Sequence, residues 1–233
     1  MSTNLDVPPR EAILKDLLEK VPVKRKAYDA TLESFTQLKE LLHELCNDMN
    51  ETLEEKQEAP TRLEYRDRGK FEAEIKIAGD VLIFNMHSNV FLFDRNHPVR
   101  EISYVQKNPD AAYCGIINVY NFLSDSFKYN RADDLGYLIG RIFINQDKRF
   151  FVEGKCRSDF RYHTFGEKSI GKETITAIIE TAILYSIEFD LLVPPYNISK
   201  EATVGQMNTK IENARLQTGK RLGFIFNSDD VLK

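Results

Sequence analysis

No apolar run in this chain approaches the roughly twenty residues that a helix needs to cross a bilayer, so no membrane-spanning helix is expected. The first twenty residues lack a basic segment followed by an apolar core, which argues against a secretory signal. Cysteine is sparse: Cys46, Cys114 and Cys156 lie far apart, with no C-x-x-C. An odd and scattered set of thiols predicts reduced cysteines and a cytoplasmic location. Positive charge is not in excess. The net charge is −4, the acidity belongs to residues 1–58, and the remainder is nearly neutral, so nothing global points to nucleic acid or an anionic membrane. The motifs G-x-S-x-G, H-E-x-x-H and G-x-G-x-x-G are all missing, as are internal repeats and low-complexity segments.

What remains is a chain that is 42% hydrophobic and 29% charged, the composition of a globular protein. Phe71, Ala73, Ile75 and Ile77 alternate with Glu72, Glu74 and Lys76, which is the period of a strand with one wet face. Val81–Phe84 and Val90–Phe93 resume the pattern after Gly-Asp and Ser-Asn breaks, as in an antiparallel meander. Further strands are expected at 62–68, 100–106, 113–123, 137–144, 149–153 and 222–226. Ile175, Ile178, Ile179, Ala182, Ile183 and Ile187 recur at helical spacing, and such a helix covers the open face of a sheet. Its partner surface is expected to be Ile75, Ile77, Leu82, Phe84, Phe91 and Phe93. A capping box at 203–206 predicts a further short helix. The fold class that follows is α+β. An antiparallel sheet of about six or seven strands is covered by a C-terminal helix and preceded by a helical appendage. The expected division is an acidic helical segment, 1–58, and an α+β domain, 59–233.

In the helical segment, Ile13, Leu14, Leu17, Leu18 and Val21 make one apolar stripe, and Pro22 is expected to end or kink that helix. A second helix over 24–57 carries a seam of Tyr28, Leu32, Phe35, Lys39, Leu42, Cys46, Met49 and Leu53, with steps of four and three. The pattern admits packing within the chain or between chains. Leu32, Phe35, Leu42 and Met49 are the candidate interface.

Gly166-Glu-Lys-Ser-Ile-Gly171-Lys172 matches G-x-x-x-x-G-K, in which backbone N–H groups wrap phosphates. Glu173 stands where the magnesium-binding hydroxyl belongs, and too little chain follows for the parallel sheet this loop opens. Residues 148–163 interleave five basic residues with four aromatics, a composition that can stack bases and neutralise phosphates. Arg157, Arg161, His163 and Lys172 are therefore the candidate ligand-binding residues. Lys155, Arg157 and Arg161 are expected to lower the pKa of Cys156. His87, Asp94 and His97 cluster in sequence, but without the spacing of a metal site. No cofactor and no metal is expected, and no catalytic residue is assigned. The leading expectation is a non-catalytic cytoplasmic binding or adaptor protein acting through protein contacts of its N-terminal helices. The alternatives are a sensor or enzyme for a phosphorylated small ligand, and RNA binding through 148–163.

Overall fold

A helix of 48 residues, α1 (Pro9–Lys56), opens the computed structural model, which describes residues 8–56, 61–132, 134–156, 160–189 and 205. Pro22 does not end the helix, which runs on through it as one element rather than as separate first and second helices. Proline removes one hydrogen bond from the ladder, that to the carbonyl of Leu18. Leu18 is 75% exposed, so solvent can satisfy the orphaned carbonyl and the helix need not end.

Seven strands follow among the described residues: β1 (Leu63–Asp67), β2 (Glu72–Ile77), β3 (Asp80–Met86), β4 (Phe91–Leu92), β5 (Tyr113–Leu123), β6 (Tyr137–Asn145) and β7 (Phe150–Gly154). They form one antiparallel sheet in the order β1-β2-β3-β5-β6-β7, and β4 pairs with the start of β5. The alternation read from the sequence sets the register: Ile75 lies opposite Tyr65 and Leu82, and Ile117 opposite Met86 and Ile142.

One face of the sheet carries Ile75, Leu82, Phe84, Ile117, Ile142 and Ile144, all fully buried under α1 and α4 (Lys172–Glu188). The fold is thus α+β, with an antiparallel sheet covered by the C-terminal helix. The buried face of α1 is Ala27, Ala30, Thr31, Ser34, Phe35, Leu38, Leu41, Leu42 and Cys46. It is rotated from the expected seam, so that Lys39 lies at its border and Met49 in solvent. Small residues explain the shift. Thr31 meets β5 at Gly115, where a Cβ would collide with the threonine side chain. Ala, Ser and Thr give no apolar periodicity, but they let a helix approach a sheet closely.

The other face holds a second cluster, built from Phe143, Phe151, Phe165 and the segment 98–112. That segment was expected to alternate as a strand over 100–106. It is instead a 3-10 turn (Pro98–Glu101), a short helix α2 (Ser103–Lys107) and a second 3-10 turn (Pro109–Ala112). Ile102 and Tyr104 alternate as in a strand, but Val99, Ile102 and Val105 are spaced by three, which puts them on one side of a helical turn and on opposite faces of a strand. Pro98 at the start and the His97 ring, which accepts from Val99 N (3.2 Å), decide for the turn. Phe93 belongs to this second cluster and Phe91 is exposed, so neither meets α4.

Residues 8–124 and 135–189 belong to one compact unit, and 125–134 to another. In the latter, the helical turn α3 (Ser124–Lys128) precedes a loop held by Ser126 Oγ donating to Asp134 (2.6 Å) and by the Arg131–Asp134 ion pair (2.8 Å). The expected capping box at 203–206 and strand at 222–226 lie outside the described residues, Gly205 apart.

Candidate functional site

The phosphate-loop resemblance at 166–172 resolves into a turn that leads into α4. Gly166 has φ +98°, and a Cβ there would press on the Tyr104 ring. Glu167 N donates to Thr164 O (3.1 Å) and Ile170 N to Lys148 O (2.8 Å), so one of the loop's donors closes the turn and another ties it to the β6–β7 hairpin. Arg149 Nη1 donates to Glu167 O (3.1 Å). Lys172 is exposed and pairs with Glu44 of α1 (3.1 Å). It lines an open hollow with Arg149, Lys168, Glu167 and Glu173, in which the charges of the two signs are mixed. Arg161 and His163 are exposed but do not line that hollow, and Arg157 lies outside the described residues.

The aromatics of the basic hairpin point mostly inward. Phe150 and Val152 face the helices, and Phe151 faces the opposite cluster, stacked on Phe143 at 4.8 Å. Phe160 packs on Phe150 (5.3 Å), which leaves Tyr162 as the exposed ring. The turn of the hairpin is held by Asn145, whose Oδ1 accepts from Asp147 N and Arg149 N (both 3.0 Å). Its Nδ2 donates to the Tyr104 hydroxyl (3.0 Å), and burial together with Asp147 pushes that hydroxyl up to about 12.

The three thiols are all buried. Burial pushes Cys156 up to about 12, opposite to the activation expected from its basic neighbours. Solvent screens exposed cations, whereas desolvation acts on the thiolate directly. Burial raises Cys114 as well, and a buried thiol of this kind is inert. His87, Asp94 and His97 each cap their own turn, accepting from Asn89 N, Asn96 N and Val99 N. Among the described residues no group of three His, Cys, Asp or Glu side chains is placed to hold a metal ion.

The candidate interface residues separate. Phe35 and Leu42 are completely buried in the chain's own core, Leu32 is half-buried, and Met49 is exposed. Among the described residues, α1 leaves two other apolar surfaces open. The first is the N-terminal part of α1, residues 9–23, where Ile13, Leu14, Leu17, Leu18 and Val21 are between 45% and 75% exposed. The stripe was legible in the sequence, but its lack of cover was not. The second is a groove of about 720 Å³ between the C-terminal part of α1 and α4. Leu41, Leu45, Met49, Leu53, Ile183 and Ile187 form its apolar lining, and Asp48 and Glu180 are among its charged residues. Ile187 was expected against the sheet, yet it is 60% exposed here. Its position on the last turn of α4 carries it past the sheet-facing side.

The α1 wall of the groove is tied to β1. Asn50 Nδ2 donates to Leu63 O (2.9 Å) while Leu63 N donates to Asn50 Oδ1 (2.8 Å), so a side-chain amide pairs the helix to the edge of β1. One turn earlier, Cys46 Sγ also contacts Leu63 O (3.2 Å), and burial raises its pKa. Lys39 Nζ pairs with Asp67 (2.6 Å) at the other end of the same strand. No helix among the described residues is long and apolar enough to cross a membrane. No protein-family model, curated protein or solved structure matches the chain.

Proposed function

We propose that this is a non-catalytic, cytoplasmic binding or adaptor protein that docks a protein partner through α1. One observation carries the reading: the exposed stripe on residues 9–23. Leu14, Leu17, Leu18 and Val21 sit at i, i+3, i+4 and i+7, the spacing with which an amphipathic helix enters an apolar groove. A contiguous apolar face of this kind marks an interaction surface. The stripe is presented on a helix whose next twenty residues are anchored in the core. A partner therefore meets a preorganised ridge and is spared the entropy of ordering it.

A photo-crosslinking amino acid in place of Leu18 tests this in cells. The expected result is a discrete adduct that is lost when Leu14 and Leu17 are also replaced by glutamate. Because all three positions are exposed, the substituted protein keeps its folded circular-dichroism spectrum. Absence of any protein adduct would show that the stripe is not a docking surface.

A further inference from the structure

These two open surfaces of α1 match each other, and along one continuous helix they lie too far apart to meet. Leu17 and Met49 lie on the same continuous helix, separated by about 48 Å at 1.5 Å per residue. The exposed N-terminal part, residues 9–23, is about 22 Å long by the same rise, and the groove follows α1 for a similar length, from Leu41 to Lys56. Charge divides in the same way. Residues 9–26 carry six basic and three acidic side chains, a net of +3, whereas 40–56 carry one basic and six acidic, a net of −5. Lys15 and Lys20 flank the two edges of the exposed stripe, by the 100° step of the helix. At the groove, Lys172 is paired with Glu44, while Asp48 and Glu180 have no ion pair among the described residues.

We infer that the chain associates with a second copy of itself, the N-terminal part of each α1 lying in the α1–α4 groove of the other. This rests on the reading of α1 as the docking element and adds the identity of its partner. A two-fold exchange is closed, since each copy gives one ridge and accepts one. It also uses both open surfaces twice, which a helix-in-groove contact of this length needs in order to approach the roughly 1,200–2,000 Å² of stable interfaces. Apolar contact supplies the affinity. The charge division sets the pairing of basic ridge with acidic rim and disfavours ridge on ridge.

Sedimentation of the full chain tests the exchange with two charge-reversed variants. Lys15→Glu with Lys20→Glu reverses the ridge, and Asp48→Lys with Glu180→Lys reverses the rim. All four side chains are exposed, so both variants fold. The expected result is a wild-type dimer that weakens with added salt. Each variant alone should associate at least tenfold more weakly, and an equimolar mixture should return to dimer, because both of its contacts are again between opposite charges. A wild-type monomer, a dimer indifferent to both reversals, or a mixture that stays monomeric each overturns the inference. The Leu18 crosslink separates this failure from that of the broader reading. An adduct with a different protein from a monomeric chain sinks self-association and leaves the docking role standing, whereas no adduct sinks both. An adduct formed within a single chain also overturns the exchange.

Discussion

At the residue scale, the contact of Thr31 with Gly115 sets how closely α1 lies on β5. Thr31 Oγ1 donates to Ala27 O (2.7 Å), which fixes the rotamer and turns the side chain onto the glycine. Gly115 has an ordinary negative-φ backbone, so it is glycine for space and not for conformation. Gly115→Ala should therefore destabilise the fold by about 1–3 kcal/mol through overpacking. Thr31→Ala in the same chain should return part of that loss, because it removes two of the three atoms the new Cβ would meet. A double-mutant cycle in urea measures the coupling, and strictly additive losses would show that the two residues do not share the contact. This pair was invisible in the sequence. Neither residue is apolar enough to enter a hydrophobic pattern, and they lie on elements far apart in the chain.

At the scale of the element, α4 shows what helical periodicity does and does not report. Ile175, Ile178, Ile179, Ala182 and Ile183 are buried as their spacing predicts. Leu184 and Ile187 are as hydrophobic, yet both are more than half exposed. Ile179→Ala should cost about 2–5 kcal/mol, from lost transfer energy and the cavity left behind. Leu184→Ala should change stability by about 0.5 kcal/mol or less. Urea midpoints of the two variants check this, and equal effects would mean that the buried face has been misassigned. The same contrast runs along α1. Its stripe is apolar from Ile13 to Leu53, but the sheet covers only the middle, because the sheet is shorter than a 48-residue helix.

At the scale of the whole molecule, two carboxylates pull the pH dependence of stability in opposite directions. The Lys39 ammonium and Gly69 N–H hold Asp67 below the ordinary aspartate range. Its contribution is present above the ordinary value and lost as pH falls through the depressed one. Asp80 is half-buried on β3, and desolvation raises its pKa against a smaller opposing hydrogen bond from Asn121. Its contribution is present below the ordinary value and lost as pH rises through the raised one. Asp67→Asn should accordingly lower stability at pH 7 and flatten the loss on the acid side. Asp80→Asn should raise stability at pH 7 and lose that advantage below about pH 4, near the ordinary carboxylate value. Denaturation midpoints of both variants across this range check the signs. A loss for Asp80→Asn at pH 7 would show that its charge is used in the fold.

The sequence by itself determined the longer strands, β1–β3 and β5–β7, and the α+β class. Alternation of period two and recurrence near 3.6 are local properties, and the backbone turns them into sheets and helices whatever the neighbours are. Local patterning was ambiguous over 98–106, where Ile102 and Tyr104 alternate at a spacing of two while Val99, Ile102 and Val105 recur at a spacing of three. Tertiary structure alone decided which apolar stripes are core and which are surface. Exposure depends on what another element covers, and a stripe such as Leu14, Leu17, Leu18 and Val21 reads the same whether a sheet lies over it or not. For the same reason the groove between α1 and α4 has no signature of its own. Its lining comes from residues 41–56, 63, 77 and 172–187, brought together only when the sheet places both helices on one face.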